Sequence, residues 1–294
     1  MNKFRIFKQV PRIIYGSGSI NRISELLPTS NKGNYNLYII DDVFNRDSFS
    51  INLNQENEDI IEWFPASLGE PKTSQVDIIR DKVLQSRNNI NPSAVIGIGG
   101  GSTMDVAKAL SVIFCNKGSS SEYQGWDLVA HPGVYKLGIP TICGSGAEAS
   151  RTSVLFGKEK KFGINSDFSM FDALILDSDM LATVPRLQRF HSGMDCYIHC
   201  VESVTGSYIN ELARASASKA LELCKAVFLD NGSDDELMTA SYLGGVSIVN
   251  SEVGICHALS YGLSLELGIR HGLANCIVFN VLDKYYGEHV EIFP

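Results

Sequence analysis

The chain has 294 residues, 44% of them hydrophobic and 20% charged, with a net charge of −8 at pH 7. That length suits two domains of roughly 100–200 residues each, and the composition supports a packed core rather than a disordered chain. The acidic balance, with no Lys/Arg run, argues against nucleic acid and anionic membrane as partners, and no apolar run approaches the roughly 20 residues of a bilayer span.

The seven cysteines include no CxxC pair and read as free buried thiols in a reducing compartment; the first residues lack the apolar core of a signal peptide, so a cytoplasmic protein is expected. Ile13-Ile14-Tyr15, just after Pro11, reads as a short edge strand. Gly16-Ser17-Gly18-Ser19 predicts a turn, with Ser19 capping a helix through Leu27. Residues 36–40 form a buried strand running into Asp41-Asp42, and the Asn-, Ser- and acid-rich stretch 45–59 reads as a surface segment. A helical pattern follows over 74–86, with Val76, Ile79 and Val83 on one face. Residues 93–98 are a second buried strand, entering Gly99-Gly100-Gly101-Ser102 and a helix over 103–114. A long polar connection spans 116–136. Gly138–Thr141 is a third strand, leading into Cys143-Gly144-Ser145-Gly146-Ala147-Glu148. A turn between strands is expected at 155–162, and a fourth buried strand at 173–176. Strands alternating with helices predict an α/β fold built on a parallel sheet. From Thr183 and Pro185 onward helical periodicity dominates. A boundary near residue 182 therefore divides an α/β domain, 1–182, from an all-helical domain, 183–294.

A strand feeding a glycine-rich turn and a helix makes a phosphate site: the glycines admit the phosphate to the backbone, and the helix N-terminus offers free N–H groups and partial positive charge. Gly99–Ser102 fits this, although the G-x-G-x-x-G fingerprint fails, since the third glycine counted from Gly97 falls at Ser102. The Cys143–Gly146 turn either flanks the same pyrophosphate or is structural only. Asp41 either accepts hydrogen bonds from an adenosine ribose or caps a helix. As a ribose acceptor it precedes the glycines instead of following them by about 20 residues, so the strand order must differ from the usual pattern. It would also repel a 2′-phosphate, favouring NAD over NADP.

In the helical half, Asp195 and His199 stand four residues apart, which stacks them on one helix face roughly 6 Å apart at Cβ. Alone they read equally as a core pair. His257 and His271, each in an apolar helical setting where an unpaired imidazole is costly, turn the four into a candidate metal site. An unbroken helix would hold the last two about 21 Å apart, so a break is required at Gly262 or Gly268, and Gly268 is favoured because residues 263–267 still read as helix. One carboxylate and three imidazoles suit Fe²⁺, Zn²⁺, Co²⁺ or Ni²⁺ and are poor for Ca²⁺ or Mg²⁺. Glu202 and Glu266 are candidates for orienting the imidazoles.

These residues carry a resemblance. The pattern GGGS-x-x-D-x-x-K over Gly99–Lys108, the Pro-Thr…Gly-Ser-Gly-Ala-Glu loop over 140–148, Lys161-Phe162, G-x-D-x-x-x-H over 193–199, Asn250 seven residues before His257, and H-x13-H ending at His271 are similar in order and spacing to the iron-containing alcohol dehydrogenases. The resemblance implies a Rossmann-like first domain binding NAD(P) and a helical second domain binding Fe²⁺ or Zn²⁺, with Asp195, His199, His257 and His271 as ligands. It places Asp41, the Gly99–Ser102 loop, Asp105, Thr141, Ser145 and Lys161 near the cofactor. It implies hydride transfer on a small alcohol, in a homodimer that could pair through the N-terminal edge strand. The segments 123–127 and 132–136 look most like the 3-deoxy-octulosonate 8-oxidase branch, whose substrate is a sugar acid. Two departures stand out. Tyr261 occupies the position where many members carry a histidine for proton transfer, and a phenol with an ordinary pKa near 10 is a poorer relay. Only 23 residues follow His271, where the resemblance implies many more helical residues; the expectation is either a helical domain cut short here or a native protein with an unusually open site. The rival readings are a dehydroquinate-synthase-like lyase, which would place Glu at 195 and a basic phosphate pocket beside it, and a non-catalytic nucleotide-binding form.

Overall fold

The computed structural model describes residues 7–28, 34–44, 59–157 and 161–291. The chain divides into two compact units: Val10–Thr141 with Ser150–Met180, and Leu181–Pro294 with Ile142–Ala149 and Met1–Gln9. A single cut near residue 182 thus lies close to the main division. It leaves out the transfer of the loop Ile142–Ala149, and of the described residues before Val10, to the helical unit.

The α/β unit is built on six strands: β1 (Ile13–Tyr15), β2 (Asn36–Asp41), β3 (Ile60–Phe64), β4 (Ala94–Gly99), β6 (Tyr135–Pro140) and β9 (Ala173–Leu176). Their order is β1-β9-β6-β4-β2-β3, and every pairing is parallel. β2, β4 and β9 are buried along their whole length, which is why they read as unbroken apolar runs rather than alternating ones. β3 carries no clear signal, because its Ile-Ile-Glu-Trp-Phe run directly follows the polar stretch that the sequence marks as surface; most of that stretch lies outside the described residues. A second small sheet, β5 (Gly125–Trp126), β8 (Lys161–Asn165) and β7 (Thr152–Phe156), takes in part of the polar connection and both arms of the expected turn. The turn itself extends into residues that are not described.

The chain runs from β2 outward to β3 at one edge, then through α1 (Thr73–Ser86) back to β4 and onward through α2 (Gly101–Ile113) to β6. The connections after β2 and β4 therefore leave in opposite directions along the sheet. Open α/β sheets bind ligands at the carboxyl ends of the two strands flanking such a reversal, here Asp41 and Gly99. At the β1 edge of the sheet, residues 19–25 form a 3₁₀ stretch, and Ser19 is not its cap. Gly18 takes φ 75°, and the carboxylate of Asp177 accepts from the N–H groups of Gly18 at 3.0 Å and Ile20 at 2.8 Å. The buried acid at the end of β9 does the work expected of the serine.

The helical unit contains α3 (Arg186–Thr205), α4 (Glu211–Leu229), α5 (Asp234–Val249), α6 (Ile255–Leu267) and α7 (His271–Phe279). Its core gathers Met194, Tyr197, Ile198 and Val201 of α3 with Leu221 and Cys224 of α4, Ala240 of α5 and Val278 and Phe279 of α7. The loop Ile142–Ala149 joins this core at close quarters. A Cβ at Gly144 would meet the Ser192 carbonyl oxygen at 2.0 Å, and one at Gly146, where φ is 62°, would meet Gly245 Cα at 2.3 Å. Both glycines are therefore demanded by packing on α3 and α5. Asn250 follows α5 and ties the first described residues to the unit: its side chain accepts from the Lys8 N–H and donates to the Lys8 carbonyl.

Candidate metal centre

Asp195 lies in the middle of α3, and the helical repeat carries His199 and Glu202 along the same buried stripe. α6 brings His257 and Tyr261, and α7 opens on His271. Between them Gly268 takes a left-handed φ of 66° and ends α6. That single residue converts a long separation into contact, and the His257 and His271 ring centroids lie 5.4 Å apart.

Asp195 Oδ1 is 3.2 Å from His257 Nε2 and 3.7 Å from His271 Nε2, and the three residues offer donor atoms within 4.8 Å of one another. His199 stands beside this group rather than in it. Its ring stacks on His257 with centroids 4.3 Å apart and planes 11° apart, and its Nε2 is 3.9 Å from Asp195 Oδ1. Its buried Nδ1 has no hydrogen-bond partner among the described residues. These residues fit a divalent cation: bonds of about 2.1 Å at tetrahedral angles separate donor atoms by roughly 3.4 Å, which is the spacing seen from Asp195 to each imidazole.

Glu202 organises the group from behind. Its carboxylate accepts from the N–H groups of Gly254 at 2.8 Å and Cys256 at 2.7 Å, from the Tyr286 hydroxyl at 3.1 Å, and meets His257 Nδ1 at 2.6 Å. It caps α6, whose N-cap glycine has no side chain to do so, and it directs His257 Nε2 toward Asp195. Glu266 is exposed and stands outside this arrangement.

Burial opposes charge on every member, and the partners decide the outcome. Asp195 is desolvated, yet His199, His271 and His257 hold its carboxyl well below the usual range. Glu202 is likewise desolvated but is drawn down to about 2 by His257 and the backbone donors. His257, held between two carboxylates, overcomes its burial and is pushed up to about 9. His199 is pushed down to about 4, burial outweighing the attraction of Asp195.

Asn275, four residues after His271 on α7, escaped the sequence reading. Its amide Nδ2 donates to Asp195 Oδ1 at 2.6 Å and lies 3.1 Å from His257 Nε2 and 3.3 Å from His271 Nε2. The available signal was its spacing, one helical turn from a candidate ligand.

In the α/β unit, Asp41, Gly99 and Thr141 stand at the carboxyl ends of three neighbouring strands. The Thr141 N–H donates to the Gly99 carbonyl at 2.9 Å. A Cβ at Gly99 would meet Thr103 Oγ1 at 2.5 Å and Asp41 Cβ at 2.9 Å, so the glycine is needed where the loop crosses the aspartate. Asp41 is buried, which raises its pKa, while the N–H groups of Val43 and Gly100 work the other way. Gly100 is the N-cap of α2, and Gly101 and Ser102 form its first turn. Asp105 and Lys108 form a buried ion pair at 2.9 Å, with Lys161 in electrostatic reach of Asp105 and itself 2.9 Å from Glu70. Ser145 lies exposed on the loop that belongs to the helical unit.

All seven cysteines are free, and burial pushes the thiols of Cys143 and Cys256 upward. Among the described residues no helix is long and apolar enough to cross a membrane.

Residues 11–178 match the family model described as iron-containing alcohol dehydrogenase, and residues 189–291 match the C-terminal model of the same family. The chain is 32% identical over 238 residues to a sulfoacetaldehyde reductase of Bilophila wadsworthia, covering 76% of this chain and 60% of that protein. It is 27% identical over 236 residues to an NAD-dependent methanol dehydrogenase of Bacillus methanolicus, covering 75% of this chain and 61% of that one. The chain thus matches only about three fifths of the length of these relatives. Among solved structures, a sulfoacetaldehyde reductase of Bifidobacterium kashiwanohense in complex with NAD+ superposes with a TM-score of 0.82 at 21% identity, covering 96% of this chain and 77% of the other. An iron-containing alcohol dehydrogenase of Thermotoga maritima gives 0.79 at 24% identity, covering 98% and 83%.

Proposed function

The chain belongs to the iron-containing alcohol dehydrogenase family, and from that premise we propose that it is a metal-dependent oxidoreductase transferring a hydride between a small alcohol and a nicotinamide cofactor. The observation that carries the reading is the convergence of Asp195, His257 and His271, from three helices, on one buried point.

A divalent cation bound there, Fe²⁺ or Zn²⁺, supplies Lewis acidity toward the alcohol oxygen, while the nicotinamide supplies the hydride partner. Asp195, His257 and His271 would hold the cation, with His199 beside them as the fourth ligand. Glu202 keeps His257 aimed. The Tyr261 ring stacks on His271 at 5.7 Å and 16°, and the side chain is 44% exposed, so a phenol rather than an imidazole lines the solvent side of the centre. Asp41 takes the adenosine ribose and favours NAD over NADP. Gly99–Ser102 and the N-terminus of α2 take the pyrophosphate, with Asp105, Thr141, Ser145 and Lys161 lining the cofactor. The reading includes a cytoplasmic homodimer joined along the outer edge of β1, which light scattering tests.

For the substrate, the reading extends to an anionic alcohol or aldehyde. The segments 123–127 and 132–136 suggest a sugar acid, and the name of one relative directs attention to sulfoacetaldehyde. The test is elemental analysis together with an NAD- and NADP-linked screen of alcohols and aldehydes that includes both compound types. Chelation should abolish turnover, and Fe²⁺ or Zn²⁺ should restore it. Full activity in metal-free protein would sink the reading, and nucleotide binding with every alcohol inert would favour the non-catalytic form.

A further inference from the structure

Asp195 is the only carboxylate of the three-residue donor group, and what holds it is an amide. Asn275 is fully buried on α7, one turn beyond His271 and on the same face. Its Nδ2 is 2.6 Å from Asp195 Oδ1, 3.1 Å from His257 Nε2 and 3.3 Å from His271 Nε2. One nitrogen thus lies within hydrogen-bond distance of all three donor atoms. The orientation of the amide is fixed by chemistry. Turned over, Oδ1 would face the carboxylate oxygen with no proton between two acceptors. In the orientation seen, the amide oxygen is buried with no hydrogen-bond partner among the described residues. A side chain chosen only to fill the floor of the site would avoid that cost.

We propose that Asn275 is the positioning residue of the metal centre: its amide nitrogen holds Asp195 Oδ1 toward the point on which the two imidazole Nε2 atoms converge, the point a divalent cation takes. The inference rests on the metal reading of this site. A carboxylate oxygen has room for a cation and one N–H donor together, whereas each imidazole Nε2 has a single lone pair. When a cation binds, Asn275 therefore keeps its bond to Asp195 and withdraws from the imidazoles. Its contribution is to set the direction of the carboxylate before and after loading, as hydrogen-bond partners of ligands do elsewhere.

The test uses the full chain stripped with chelator and titrated with Co²⁺, read by ligand-field absorption and by competition with a chelating dye. Wild-type protein should take up Co²⁺ with a defined visible spectrum. Asn275→Leu keeps the volume and removes the donor; it should bind about 10–100-fold more weakly and shift the bands, with the far-ultraviolet dichroism of the stripped protein unchanged. Asn275→Ser, too short to reach Asp195, should do the same and serves if the leucine variant does not fold. Wild-type affinity and spectrum in the folded variants would overturn the proposal, because a merely structural residue changes melting temperature but not the cobalt bands. Wild-type protein that takes up no Co²⁺ would overturn the metal reading and this proposal with it.

Discussion

Glu202 and His257 are joined carboxylate to imidazole at 2.6 Å, and the same carboxylate closes the N-terminus of α6. One side chain therefore sets both where the helix begins and which way its histidine points. Glu202→Gln keeps an acceptor for the backbone but surrenders the charge that orients His257. Metal affinity should fall about 10–100-fold, and the melting temperature should drop as a charge-assisted bond is lost, a loss of about 1.5–3 kcal/mol. Dye competition and thermal denaturation on the same samples check both. An unchanged affinity would mean that His257 is aimed by something else.

The raised pKa of His257 makes the stripped protein sensitive to alkali. A histidine whose folded pKa stands at about 9 against 6.5 contributes stability that is fully present below pH 6.5 and is lost as pH climbs through 9. His199 acts in the opposite sense. Held down at about 4, it contributes stability present above pH 6.5 and lost as pH falls toward 4. Stripped protein should therefore be most stable near pH 6.5, and its loss above that point should vanish in His257→Gln. Because a cation must displace the His257 proton, loading at pH 7.5 should release about one proton per site. Titration in weak buffer measures it.

Substitutions at Gly146 and Gly99 test whether the two glycine-rich turns differ in function as proposed. Gly146→Ala meets Gly245 at 2.3 Å in a left-handed backbone, so it should cost stability of about 1–3 kcal/mol or more through overpacking. Gly99→Ala presses on Thr103 and Asp41 beside the α2 N-terminus. It should weaken NAD binding about 10-fold or more beyond any change in melting temperature. Fluorescence titration with NAD alongside melting curves distinguishes them. The reverse pattern would reassign the phosphate to the Cys143–Gly146 turn.

Asp41→Ala removes the acid expected to discriminate against a 2′-phosphate. The ratio of NAD to NADP affinity should fall about 10-fold, chiefly by a gain in NADP binding. A ratio that does not move would return Asp41 to a structural role, for which its bond from the Val43 N–H is already sufficient.

The central strands were legible because β2, β4 and β9 are buried on both faces and so carry unbroken apolar runs. That the helix must break was legible from reach, since two imidazoles fourteen residues apart cannot meet along one helix, and the helical pattern of residues 263–267 pointed to Gly268 rather than Gly262. Other features depend on partners distant in sequence. The affiliation of Ile142–Ala149 is decided by Ser192 and Gly245, and the cap on the Gly18 turn by Asp177. Asn275 was invisible for a different reason: an amide has no characteristic spacing, and its role appears only where three other side chains converge on it. His199 shows the limit of spacing rules, because the i, i+4 geometry places it near Asp195 but leaves its ring free to stack on His257.

The left-handed residue at Gly268 also bears on the order in which the centre assembles. His257 and His271 meet across fourteen residues, whereas Asp195 arrives from 62 residues upstream of His257. Closing the shorter loop is cheaper in chain entropy by about 1.3 kcal/mol. By that measure the α6–α7 hairpin is the element expected to close first, with two imidazoles side by side before α3 docks. A cation offered during refolding is therefore expected to meet a half-built chelate first and to change the refolding rate, which refolding with and without Co²⁺ measures.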